Sequence, residues 1–152
     1  MKYFTLLIGI ITSLTISAQS NIDSTELKQI WNSNILPIIN KDTSSLSKTI
    51  NFPVSGLWSM FIGFNNNPET KHSKKDFFKN IDKFITPDLS SSLSKQSYKD
   101  FEIHIELGFP EVTIAYGKKT PLDNGEMDEG ALIFLFKKIN GQWKLWSCTI
   151  VG

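Results

Sequence analysis

The sequence predicts an α+β domain, and three observations carry that prediction. Up to about residue 95, apolar residues recur at helical spacing behind capping residues. From Phe101 the apolar period drops from 3.6 to 2. Near the end, Asn140-Gly141 separates two apolar runs, the strongest short signal for a β-hairpin. Helices followed by a run of antiparallel strands are the α+β order.

The first helical segment is "IDSTELKQIWNSNILPIIN". Asp23 is an N-cap with Glu26 three residues on, the spacing of a capping box, and Ile22 and Leu27 suit a hydrophobic staple. Leu27, Ile30, Trp31 and Ile35 form its apolar face, and Pro37 is expected to kink or end the helix. Asp42 or Thr43 caps a short second helix whose buried face is Leu46 and Ile50. Pro53 ends it. "GLWSMFIGF", Gly56 to Phe64, is apolar on both alternating sets and reads as a buried strand or packed loop. "NNNPET" is a loop.

Ser73 caps the next strong helix, with Asp76 in its first turn, where the helix dipole favours an acid. Phe77, Phe78, Ile81, Phe84 and Ile85 form one stripe. Thr86-Pro87 restarts the helix as cap and first-turn proline, carrying Leu89 and Leu93.

Strands are expected near 101–107, 111–117, 131–139 and 142–150. In "FEIHIEL", Phe101, Ile103, Ile105 and Leu107 share one face, which should meet the helices; Glu102, His104 and Glu106 share the other. Residues 118–130 read as a long polar loop. The last two strands read as the central hairpin of the sheet, with Trp143 and Trp146 as core. Both sides of "WKLW" are apolar, which points either to a sheet-to-sheet homodimer or to a bulge that brings both Trp residues to one face.

The N-terminus "MKYFTLLIGIITSLTISAQS" has the charge, apolar core and small-residue order of a signal peptide cleaved near Ala18. Its apolar run is shorter than a membrane helix needs. Residues 1–18 are thus read as the leader and 19–152 as one domain, exported to the periplasm or beyond. Loss of Lys2 leaves equal numbers of basic and acidic residues. All the basic residues are lysines, and a neutral chain without arginine argues against nucleic-acid binding. The lone Cys148 allows no internal disulfide and reads as a small buried apolar residue.

"INFPV", "KKDFFKNIDKFITPDL" and the closing "INGQWKL" strand pair together resemble the NTF2-like superfamily, and the leader and lysine-rich, arginine-free composition resemble exported proteins of Bacteroidetes. The resemblance covers most of residues 23–151 and implies N-terminal helices packed on a curved antiparallel sheet, a cone with a pocket inside. Enzymes of this fold place acidic, His or Tyr groups in that pocket, where apolar walls tune their pKa. Here Tyr116, Asp82, Tyr98 and Trp58 are the polar-capable residues near apolar faces. The catalytic pattern of the isomerases or dehydratases of that fold is not matched.

No Ser, His and acid arrangement, phosphate loop or paired-Cys site is visible in the sequence. Same-face residues of the Glu102, His104 and Glu106 trio lie about 6.6 Å apart, so a metal would need further ligands; a solvated face is expected instead. "DNGEMDEG", residues 123–130, lacks the ligand spacing of an EF-hand and reads as a solvated loop. No cofactor or metal is expected. The favoured reading is a non-enzymatic module holding a small apolar ligand in the cone or a protein on the sheet. A lyase- or isomerase-type enzyme using Asp82 or Tyr116, or an immunity or inhibitor protein, is the alternative. A deep cavity with convergent ionisable groups would favour the enzyme; a cone filled by Phe and Trp would leave a surface role.

The intact mass of protein recovered from an envelope fraction should match a chain beginning at Gln19. A full-length chain in the cytoplasm would contradict export.

Overall fold

The computed structural model describes residues 22–106, 109–121 and 125–152. The proposed leader and Leu107 lie outside these residues. The fold is α+β: helical segments occupy the first part of the chain, and a four-stranded antiparallel sheet closes it. The sheet is a meander of β3 (Glu102–Glu106), β4 (Phe109–Pro121), β5 (Met127–Ile139) and β6 (Gln142–Val151), neither closed nor strongly curled. No described helix is long and apolar enough to cross a membrane.

Capping chemistry starts the helices as expected, with one difference. Asp23 accepts from the N–H groups of Thr25 and Glu26 at 2.8 and 2.9 Å, opening α1 (Ser24–Ile30). Glu26 does not complete a capping box; its carboxylate pairs with Lys138 of β5 at 2.6 Å, a partner 112 residues away. Pro37 neither breaks nor ends the helical path. A π-helical turn, Trp31–Ile35, precedes it, and Pro37 sits in the first turn of α2 (Leu36–Asn40), where its missing donor costs little. Asp42 caps α3 (Thr43–Thr49) through the N–H groups of Ser44 and Ser45; the Ser45 hydroxyl, donating at 2.6 Å, and then these N–H groups hold its carboxyl below the usual range.

Gly56 to Phe61 form a helix, α4, rather than a strand or loop. Ser55 caps it, after a two-residue strand β1 (Val54–Ser55) that pairs with β2 (Lys71–His72). An apolar run without a polar face has no period to separate strand from buried helix, so the pattern was ambiguous. Gly56 is required by contact: a Cβ there would lie 2.3 Å from the Thr70 carbonyl oxygen. The next stripe is two helices, α5 (Lys74–Lys79) and α6 (Ile81–Phe84), interrupted at Asn80. Ser73 caps the first, and Thr86 caps α7 (Pro87–Ser94).

Asn140 and Gly141 have φ of 49° and 78°, the left-handed pair of a two-residue hairpin turn. The expected polar loop at 118–130 is largely strand: β4 and β5 stay paired out to Pro121 and Met127. The last hairpin is not central. β6 is an outer strand, and part of its free edge is covered: Ile50 bridges to Leu145, the Asn51 N–H donates to the Leu145 carbonyl at 2.8 Å, and the Asn34 amide reaches the Trp143 carbonyl at 3.4 Å. A register shift in β6 leaves Trp146 unpaired between Leu145 and Ser147. This bulge brings Leu145 and Cys148 to the core; Trp143 is buried and Trp146 exposed, so the two indoles do not share a face.

The core lies between the helices and one face of the sheet. Trp58, Phe77, Phe84, Phe134 and Phe136 are all fully enclosed. The Trp58 ring meets Phe77, Phe84 and Phe134 at centroid distances of 5.3, 5.7 and 5.0 Å, and its indole N–H donates to the Phe84 carbonyl at 3.0 Å. Phe134→Ala should remove the sheet's side of this contact and destabilise the fold by about 3–5 kcal/mol in chemical denaturation. A loss below about 1 kcal/mol would mean that the interior is loosely packed there.

Candidate functional site

The residues singled out from the sequence do not converge. Trp58 is part of the packed core. Asp82 faces solvent and pairs with Lys41 at 2.7 Å. Tyr98 opens a 3₁₀ turn, with the Lys28 ammonium 5.1 Å from its ring centroid. Tyr116 is buried between Phe61, at 5.7 Å, and the edge of a surface groove. That groove, about 250 Å³, runs between α7 and β4 and is lined by Asp88, Ser91, Ser92 and Lys95 opposite Tyr116–Lys119. Burial and then the nearby Asp88 carboxylate raise the Tyr116 phenol above its ordinary pKa.

The interior offers little space. A cleft of about 10 Å³ lies between Val54, Ser55 and Trp58 on one side and Leu145–Cys148 on the other. That is about the room one water occupies. Burial pushes the Cys148 thiol up to about 11, against hydrogen bonds from the Ser55 side chain and the Trp58 backbone that pull it down. The thiolate needed for nucleophilic chemistry is therefore scarce at neutral pH.

A Ser, His and acid line does exist in space, contrary to the sequence reading. His72 Nδ1 lies 2.6 Å from Asp76 Oδ2, and Nε2 lies 2.9 Å from Ser59 Oγ. The sequence hides it because the serine sits on α4 and the histidine on β2, joined only when β1 pairs with β2. Its geometry resembles a hydrolytic triad, but its surroundings do not permit that chemistry. Ser59 is fully buried, and its hydroxyl proton is directed to the Gly56 carbonyl at 2.9 Å rather than to the histidine. His72 is stacked on Phe64 at 5.9 Å and meets Phe84 edge-on at 5.0 Å. No acyl substrate reaches Oγ. The line fastens the 62–72 segment between α4 and α5.

Asn34, in the π turn, was not flagged by the sequence. Its amide donates to Ile30 and Trp143 carbonyls, joining helix to sheet. A polar residue in an apolar helix face was its available signal.

The exposed side of the molecule is more distinctive. Phe101 packs against Trp31 and Phe136, at 6.2 and 5.9 Å. The rest of its strand face does not reach the helices: Ile103 is 44% and Ile105 56% exposed; Phe109, on the opposite face of the β3–β4 hairpin, is 73% exposed. The helical layer ends over Phe101, so the alternation of β3 predicts a covered face that is in fact open. On the other face, His104 Nε2 contacts Thr113 Oγ1 at 3.2 Å and lies 3.6 Å from the Glu102 carboxylate. Glu111 pairs with Lys137 of β5. In the 123–130 segment, whose first two residues lie outside the described residues, Glu129 pairs with Lys119. No group of three or more metal-ligating side chains occurs among the described residues.

No known family model matches the chain, and no curated protein matches it.

A raised thiol pKa makes a specific alkaline signature. The unfolded thiol titrates near 9.0 and the folded one near 11, so the Cys148 contribution is fully present below pH 9 and is lost as pH rises through 11. The full loss is about 3 kcal/mol. Cys148→Ala should flatten this limb in denaturation curves recorded from pH 8 to 11. An unchanged slope would show that the thiol is not held in its neutral form.

Proposed function

We propose that this chain is an exported, NTF2-like module that works by binding a protein on its surface. The observation that carries this reading is the filled interior. Trp58, Phe77, Phe84, Phe134 and Phe136 are fully enclosed and fill the core between the helices and the sheet. The cleft between α4 and β6 takes about one water, far below the ~300 Å³ of an ordinary small-molecule site. Apolar side chains are instead displayed outward, on β3, β4 and the β6 bulge. The N-terminal leader pattern supports export. The order of helices followed by an antiparallel meander is compatible with the NTF2-like resemblance.

A second reading rests on the groove between α7 and β4. There Tyr116 and Asp88 line one groove with Lys95 and Lys118, an acid and a phenol of the kind that an isomerase or a polar-ligand site uses. Its openness to water argues against acid–base chemistry that depends on a dry site.

Native mass spectrometry of protein purified gently from the envelope separates the two. The surface reading expects the mass of the bare processed chain, alone or with a protein partner. A retained small molecule that disappears in Tyr116→Phe would overturn it in favour of the groove.

A further inference from the structure

The two outer edges of the sheet are treated differently. β6 is partly covered by Ile50, Asn51 and Asn34, as described. β3, at the opposite side, meets no further strand among the described residues. In an antiparallel ladder, alternate residues turn their N–H and C=O groups away from the partner strand. β3 therefore presents unpaired backbone groups along its outer side, and Glu102 through Ile105 are all exposed. Natural sheets commonly blunt such an edge with lysine, proline or a bulge. The register of β3 against β4 is unbroken, and the strand contains no lysine or proline.

We propose that the β3 edge receives an extended segment of a partner protein as an added strand, and that this segment alternates apolar and basic side chains. The proposal rests on the reading of the chain as a surface-interaction module. Backbone pairing supplies the attraction, and alternate side chains supply the choice. On one face, apolar residues of the incoming strand fall beside Ile103 and Ile105, which the helices leave open. On the other, a basic residue falls beside Glu102. The Glu102 side chain is 77% exposed, with the His104 imidazole at 3.6 Å. Lys137 of β5, on the sheet's outer face, is paired with Glu111.

The test uses the processed chain, isotope-labelled for NMR, and two synthetic peptides of equal length. One alternates lysine with valine and the other glutamate with valine. The lysine peptide should bind saturably and slow amide exchange within 102–106. The glutamate peptide should bind about tenfold more weakly or worse, a difference of about 1.4 kcal/mol. The double variant Ile103→Lys, Ile105→Lys should also weaken the lysine peptide about tenfold or more while melting at the same temperature, since both side chains are already exposed. Equal binding of the two peptides, or protection outside β3, would overturn the proposal. So would protection of the same amides by self-association without peptide. Such a failure leaves the surface reading standing if a protein partner still co-purifies; a retained small molecule lost in Tyr116→Phe removes that reading instead.

Discussion

Trp58 holds the structure together. It belongs to a short helix, α4, that has no polar face and little stability of its own, since six residues cannot offset helix nucleation. What keeps α4 helical is the burial of its indole among Phe77, Phe84 and Phe134, which come from α5, α6 and β5. The indole N–H would be costly inside such an apolar cluster, and the Phe84 carbonyl at 3.0 Å satisfies it. One side chain thus joins the middle helices to the sheet. The same packing fills the space between those helices and the sheet.

The polar links repeat this theme of connecting distant segments. Asn34 ties the π turn to Trp143, Glu26 ties α1 to Lys138, and the Ser59, His72 and Asp76 line ties α4 to α5 across the long loop. Two of these links, through Asn34 and Ser59, are buried; there, loss of one partner strands the other and weakens the fold. The exposed pair of Glu26 and Lys138 contributes less, at the scale of a surface ion pair. The catalytic look of the His72 line therefore has a structural explanation: a buried imidazole needs partners at both nitrogens, and a serine and an aspartate supply them.

Local signals were legible in the sequence because their physics is local. Asp23, Asp42, Ser73 and Thr86 each cap the helix that follows them, and Asn140-Gly141 makes the tight turn its φ angles require. The α4 helix was not legible, because "GLWSMFIGF" carries no period. The approach of Ser59 to His72 was hidden for a different reason: it depends on a two-residue strand pair that sequence pattern does not reveal. Most instructive is β3. Its alternation is perfect, yet periodicity reports only which residues share a face, and the extent of the helical layer decides whether that face is covered. Ile103 and Ile105 lie beyond the layer, and the surface reading grows from that difference.

The central claim is that the interior is full and function lies outside. Crystals of the processed protein held under xenon pressure test it most directly, because xenon enters apolar voids of modest size without disturbing their walls. The account predicts no xenon among Trp58, Phe77, Phe84, Phe134 and Phe136. An ordered xenon atom enclosed by those rings would contradict it and return the ligand to the centre of the fold.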